Sequence, residues 1–345
     1  MNVLVVDLGA VWGGQEIYSL NLMNALRKQG HYVVSLSSNQ KHQSCSDKYY
    51  SADIAYSAFV GISKVVKRLV IEHSIDVVHM NGNRAMYLAA FLKLPVRLVA
   101  TKHLPFFVNG SKPLKHQIAR WLSGSLFRVF DHIICVSQAT FNDLPNVCKA
   151  KASVIANGVP DRRIIKDNPI KGEELKLSYV ARLVEHKGIL PLMKGVIAAQ
   201  KMGVNCSLLI AGDGPLRPEV ERMVAVLPKS FRYYGFLDDP AAIYNQADVC
   251  CLPSLNEGMP LNILEAFSCG LPVLAVNIPG VNEVVNDNNG WLLNDNSSAS
   301  IAHCLMSIAE QKEIVAVKSI AARKCYEDKY SIEMMVEKTL AIYGD

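Results

Sequence analysis

Two acids stand eight positions apart in the segment Pro253-Ser254-Leu255-Asn256-Glu257-Gly258-Met259-Pro260-Leu261-Asn262-Ile263-Leu264-Glu265-Ala266. Glu257 falls in a loop after an apolar, strand-like run, beside the N–H groups of residues 258–261. Glu265 falls inside a helical pattern whose apolar face is made by Leu261, Leu264, Ala266 and Phe267. An acid in a buried helix needs a partner, because burying a bare carboxylate is costly. A vicinal diol meets that need with two hydroxyl donors, which is how the acidic residue of dinucleotide folds holds ribose. The other reading is that Glu265 faces solvent while Glu257 serves the first helical turn.

Cations and glycines stand at other strand-to-helix junctions. Arg182 and Lys187 lie in Ala181-Arg182-Leu183-Val184-Glu185-His186-Lys187-Gly188, between a strand and a helix starting near Gly188. Two cations there neutralise a diphosphate through charge-assisted hydrogen bonds worth about 1.5–3 kcal/mol each. A lysine at a helix N-terminus opposes the helix dipole, and an anion relieves that conflict. The plainer alternative is a solvated charge cluster. Gly13-Gly14, after the first strand, either lets backbone N–H groups approach a phosphate or simply makes a tight turn. The pair is not Gly-x-Gly-x-x-Gly, which disfavours a nicotinamide cofactor. Gly212-Asp213-Gly214-Pro215 reads as a turn with Pro215 opening the next helix.

The elements that must position these groups are short Val, Ile and Leu runs alternating with longer helical patterns. They fall at 3–8, 32–36, 76–80, 96–101, 132–136 and 153–156, then at 175–180, 206–211, 231–235, 248–252, 272–276 and 290–293. Continuous apolarity marks strands buried on both faces, hence parallel sheets covered by helices. A chain of 345 residues suits two such domains. The proline-bearing, charged stretch 160–176 reads as their connection, and residues from about 297 read as three helices, the last over 331–343.

Charge and cysteine usage narrow the class. The net charge of +5 is too mild to argue for nucleic acid. Up to Asp167 there are 20 basic against 10 acidic residues; from Asn168 onward there are 16 against 21. The first half is therefore a candidate for an anionic surface or substrate. None of the nine cysteines forms a C-x-x-C pair, which reads as reduced thiols in a cytoplasmic protein. The chain opens directly into a strand-like run, so no signal peptide is expected, and no run approaches the 18 apolar residues of a spanning helix.

Taken in order, these motifs resemble glycosyltransferase family 4. The resemblance runs through Gly13-Gly14-x-Glu16, Ile155-Ala156-Asn157-Gly158-Val159, Arg182 with Lys187-Gly188, Gly212-Asp213-Gly214-Pro215 and Tyr234-Gly235-Phe236-Leu237. It continues through Pro253-Ser254, the two glutamates, Gly270-x-Pro272-Val273 and Pro279-Gly280-x-x-Glu283-Val284. It implies an α/β chain of GT-B fold: two facing Rossmann-like, doubly wound parallel-sheet domains with an interdomain cleft. The acceptor-side domain is expected at 1–165 and the nucleotide-sugar domain at 170–325, with a C-terminal helix in 326–345 packing back on the first.

The resemblance also implies a sugar transfer from a nucleotide diphosphate sugar with retention of anomeric configuration. It places the donor diphosphate on Arg182, Lys187 and the Gly13-Gly14 backbone, with Gly212 nearby. Glu265 falls where the family binds ribose, and Glu257 where it contacts the hexose. The N–H groups of Gly258, Met259 and Leu261 stand around sugar and phosphate, and the base lies near Phe236-Leu237. Here the loop reads Glu257-Gly258-Met259-Pro260 rather than the frequent Glu-Gly-Phe-Gly, and Pro260 removes one N–H donor. His103 matches a histidine that faces the sugars. Arg182, Lys187, Glu257 and His103 are thus the expected catalytic set. No Asp-x-Asp triplet occurs, so no metal cofactor is expected.

The favoured donor is a UDP-sugar, with GDP-mannose next, and the transferred unit a hexosyl or N-acetylhexosaminyl group. The acceptor is expected to be a saccharide, lipid-linked, in cell-surface polysaccharide, O-antigen or lipopolysaccharide synthesis. The stretch 112–128 mixes Lys112, Lys115, His116, Arg120 and Arg128 with Trp121, Leu122, Leu126 and Phe127. It suits a peripheral helix at the cytoplasmic face of an inner membrane, or equally a core-facing helix with a solvated basic side. A soluble synthase acting on a small sugar, or a nucleotide-sugar epimerase of the same fold, are the alternatives.

Overall fold

The computed structural model describes residues 1–9, 12–53, 55, 58–104, 123–163 and 174–344, with Ala90 as main chain only. The chain forms two compact units, Met1–Gly158 with Ile332–Asp345, and Val159–Ser331. Within 112–128, residues 112–122 lie outside the described residues; Leu126, Phe127 and Arg128 are described, with Phe127 fully buried.

The first unit carries seven strands: β1 (Asn2–Asp7), β2 (Tyr32–Ser37), β3 (Lys48–Ser51), β4 (Val77–Asn81), β5 (Arg97–Lys102), β6 (His132–Cys135) and β7 (Ala152–Val154). Every pairing is parallel, in the order β3-β2-β1-β4-β5-β6-β7. Alternate β1 residues bury on opposite faces. Leu4 and Val6 pack with the helix Phe59–Glu72, while Val3 and Val5 pack with the helices Gly14–Lys28 and Ile332–Gly344. Two-sided burial is the reason these strands read as unbroken apolar runs. The strand β3 escaped that signal. As an edge strand reading Lys-Tyr-Tyr-Ser, it has no buried residue and so needs no apolar run.

The second unit carries β8 (Leu175–Val180), β9 (Cys206–Ala211), β10 (Phe231–Tyr233), β11 (Val249–Leu252), β12 (Val273–Val276) and β13 (Gly290–Leu293). They are again all parallel, in the order β10-β9-β8-β11-β12-β13. In each sheet the winding reverses once, between β1 and β4 and between β8 and β11. Such reversals leave a crevice outside the carboxyl ends of the two strands, where open α/β sheets take their ligands. Helices Ser298–Glu310, Lys312–Lys329 and Ile332–Gly344 complete the chain. The helix after the Gly212 turn begins at Arg217, with Pro218 rather than Pro215 in its first turn.

All nine cysteines are free thiols. Among the described residues no helix is long and apolar enough to cross a membrane, and no group of three or more His, Cys, Asp and Glu could hold a metal ion.

Candidate functional site

At the reversal of the second sheet, the loops after β8 and β11 are stitched together. Leu255 N–H donates to the His186 carbonyl at 2.8 Å, and the Ser254 hydroxyl donates to the same oxygen at 3.2 Å. Gly188 makes the approach possible. Its φ is +75°, and a Cβ there would stand 2.3 Å from the Pro253 carbonyl oxygen, so only glycine fits. From below, the Tyr179 hydroxyl donates to the Arg182 carbonyl at 3.1 Å. Gly212 lies equally close on the other flank: its φ is +143°, and a Cβ would meet the Ala181 carbonyl oxygen at 1.9 Å.

The result is one ion pair at the carboxyl ends of the two strands. Lys187 Nζ donates to Glu257 Oε1 at 2.5 Å, with both side chains largely withdrawn from water. Arg182, five residues earlier, is exposed and makes no ion pair among the described residues. Burial, with the neighbouring Lys187 and Arg182 charges adding, pushes His186 below its ordinary range. An anion arriving there meets two cations, one of them on a short leash.

Gly258, Met259 and Pro260 are buried and lead into the helix Leu261–Ser268. The first four N–H groups of a helix have no intrahelical partner, so this end is rich in donors. Asn262 Nδ2 donates to the Val180 carbonyl at 2.9 Å, tying the helix start to the end of β8. Glu265, one turn on, is buried and does not face solvent. Its Oε2 accepts from the Tyr244 hydroxyl at 3.4 Å, and its Oε1 lies 3.6 Å from Arg162 Nη2. Burial pushes its carboxyl up to about 7, with Arg162 and Tyr244 pulling the other way. Arg162 also pairs with Asp239, in the loop after β10 that carries Phe236 and Leu237. Phe236 is half exposed, and Leu237 packs against Leu209, Ala211 and Ile243.

Sequence reasoning missed Arg162 and Tyr244. Arg162 lies near the start of the second unit, more than a hundred positions from Glu265, and only the fold brings them together. The one available signal was that a buried acid must find a partner.

In the first unit, Gly13 caps the helix Gly14–Lys28, and Ile17 N–H donates to its carbonyl at 3.1 Å. Glu16 is buried in the first turn, an acid at the positive end of the helix dipole. His103 follows β5 directly. Its Nε2 lies 2.7 Å from Asn81 Oδ1, and its ring meets the Tyr18 ring edge-on at 4.8 Å. Burial, with the His79 and Lys102 charges adding, pushes His103 down to about 3. It is a neutral imidazole at working pH. Gly13, Gly14 and His103 thus share one end of the first sheet, while Arg182, Lys187, Gly212, Glu257 and Glu265 share one end of the second.

Similarity to known proteins spans the same elements. A family model for group 1 glycosyl transferases matches residues 174–311, and one for glycosyltransferase family 4 matches residues 12–163. Over 348 residues the chain is 26% identical to an uncharacterized glycosyltransferase of Haemophilus influenzae, covering 97% of each chain. It is 27% identical over 304 residues to the UDP-Gal:alpha-D-GlcNAc-diphosphoundecaprenol alpha-1,3-galactosyltransferase of Escherichia coli, covering 81% of this chain and 77% of that one. Among solved structures, Anabaena HepE in complex with UDP-glucose superposes with a TM-score of 0.83 at 17% identity, covering 100% of this chain and 99% of that one. That likeness speaks for the fold alone. Two parallel sheets wound about one reversal each, and family matches across both units, make this chain a member of glycosyltransferase family 4, a glycosyltransferase of GT-B fold.

Proposed function

We propose that the chain transfers a hexosyl or N-acetylhexosaminyl unit from a nucleotide diphosphate sugar, a UDP-sugar before GDP-mannose, to a lipid-linked saccharide with retention of configuration. The observation that carries this reading is the Lys187–Glu257 pair at the reversal of the second sheet. A cation and an acid 2.5 Å apart at that position suit a ligand with anionic phosphate on one side and sugar hydroxyls on the other. Arg182 and Lys187 take the diphosphate, Glu257 the hexose hydroxyls, and Glu265 the ribose diol. Gly212, Phe236 and Leu237 border the nucleoside, while Gly258, Met259 and Leu261 offer N–H groups and Pro260 shapes the turn. Gly13 and Gly14 keep the part that the resemblance gives them, backbone N–H donors to phosphate.

In the transfer, the bond from the anomeric carbon to the β-phosphate oxygen breaks while the acceptor oxygen bonds the same face. The acceptor's proton goes to the departing phosphate oxygen. The protein then has to position the reactants and stabilise the leaving diphosphate, which Arg182 and Lys187 do without a metal. The E. coli relative transfers from UDP-Gal to GlcNAc-diphosphoundecaprenol, which supports both the donor base and a lipid-linked acceptor, and a second E. coli relative, an O-antigen biosynthesis glycosyltransferase, supports a place in that synthesis. The basic first half supports a peripheral place at the cytoplasmic membrane face.

A thermal-shift panel of UDP, GDP, ADP and their common sugars tests the donor. A ligand that binds only the native state raises stability by RT ln(1 + [L]/Kd). One nucleotide should raise the melting temperature of the wild type and not that of Lys187→Ala. No rise with any of them would remove the donor assignment, and an inverted anomeric proton in the product would remove the retaining mechanism.

A further inference from the structure

The reversal of the first sheet joins Asp7, at the end of β1, to Asn81, at the end of β4. The two are register partners, and Asn81 is paired in turn with Thr101, two residues before His103. Asp7 is fully buried. Its Oδ1 accepts from the Gly9 N–H at 3.1 Å and from Gln15 Nε2 at 2.8 Å. Its Oδ2 accepts from the Ser19 hydroxyl at 2.7 Å and from Asn81 Nδ2 at 2.9 Å. His42 Nε2 stands 3.7 Å away, also fully buried.

The orientation of the Asn81 amide follows from its second contact. Nδ2 also donates to the Gln15 backbone carbonyl at 3.0 Å. A carbonyl can only accept, so a flipped amide would set two acceptors against each other. The nitrogen therefore faces Asp7 and Gln15, and Oδ1 faces His103 Nε2 at 2.7 Å. Oδ1 cannot donate, so Nε2 must carry the ring hydrogen. In a neutral ring this leaves the lone pair on Nδ1. The Tyr18 ring, edge-on at 4.8 Å, walls the imidazole, and the Tyr18 hydroxyl is itself anchored to Thr101 Oγ1 at 3.2 Å.

We propose that Asp7 and Asn81 are positioning residues that lock His103 in the Nε2–H tautomer, so that Nδ1 accepts a hydrogen bond from a hydroxyl of the sugar substrate. The sugar half of this statement rests on the proposed transfer; the lock does not. A neutral ring of low basicity holds a hydroxyl without removing its proton. That suits a reaction in which the departing phosphate takes the acceptor's proton. It also separates His103 from a general base: its part is orientation.

Long-range proton–nitrogen NMR on protein labelled with 15N-histidine reads the tautomer without turnover, the His103 signals being identified by their loss in His103→Gln. In the wild type Nε2 should be protonated and Nδ1 unprotonated, with no titration between pH 5 and 8. In Asn81→Ala the two nitrogens should move towards averaged shifts. The KM for the nucleotide sugar should rise about tenfold, the loss of one hydrogen bond, while the affinity for the free nucleotide changes less than about twofold. A wild-type ring protonated on Nδ1 overturns the lock, and needs no variant that folds. Asn81→Ala shifts identical to wild type overturn the role of Asn81. A locked ring whose release leaves KM unchanged in an active enzyme overturns the sugar contact. A locked ring in a protein that turns over no nucleotide sugar supports the lock and counts against the transfer reading.

Discussion

Glu265 meets two demands that pull its proton in opposite directions. Accepting both hydroxyls of a ribose, its part in the proposed transfer, requires the carboxylate, yet burial raises its pKa to about 7 despite Arg162 and Tyr244. The folded state therefore binds a proton more tightly than the unfolded chain. This group's stabilising contribution is complete below the ordinary glutamate range and is lost as pH rises through about 7. The loss is on the order of 3 kcal/mol at most, from 1.36 kcal/mol per pKa unit. Urea unfolding of wild type and Glu265→Gln should give similar stabilities at pH 5, with the variant more stable at pH 8. Nucleotide affinity should run the other way. The wild type should lose up to about tenfold per pH unit below 7 by titration calorimetry. Arg162→Ala removes the charge that holds the carboxyl down, so its affinity should begin to fall at a higher pH. A wild-type profile unchanged by Arg162→Ala would detach Arg162 from Glu265.

At the scale of elements, the site depends on how closely two loops can approach, and Gly188 decides that. An alanine there must hold a left-handed backbone, costing about 1–2 kcal/mol, and push back the Pro253 carbonyl as well. The melting temperature of Gly188→Ala should fall by roughly 2–8 °C from the backbone cost alone, at 2–4 °C per kcal/mol for a unit of this size. Because Lys187 and Glu257 sit on the two loops that separate, kcat should fall further than stability alone would require. Retained kcat in a folded Gly188→Ala would show that the pair tolerates a looser frame. Strands buried on both faces were legible in the sequence for the same physical reason that they hold the site, since continuous apolarity marks a parallel sheet. The edge strand β3 was not, because an edge asks less of its residues. Glu257 and Lys187 were legible as a local motif. Their direct contact was not, nor were Arg162 at Glu265 and Asn81 at His103, because these contacts cross between separate βα loops.

At the scale of the whole molecule, charge is divided along the chain. Up to Asp167 basic residues outnumber acidic ones by 20 to 10, and beyond it acids lead by 21 to 16. The proposed diphosphate donor needs only local cations, so the surplus in the first part fits a second anionic partner, such as the surface in which the proposed lipid-linked acceptor would lie. Each basic residue near such a surface adds about 1 kcal/mol, and the attraction fades beyond a screening length of about 10 Å at 0.1 M salt and 3 Å at 1 M. Cosedimentation should therefore be seen with vesicles rich in phosphatidylglycerol at low salt. It should be lost in high salt and absent with neutral vesicles. Lys112→Glu combined with Lys115→Glu reverses two charges in the basic stretch and should weaken binding by well over tenfold, with transfer to a water-soluble acceptor unchanged. If the anionic vesicles fail to carry the wild type down at low salt, the charge surplus serves the acceptor itself and not the bilayer. The same double variant should then raise the acceptor KM in free solution, so either outcome assigns the surplus to one of the two anions.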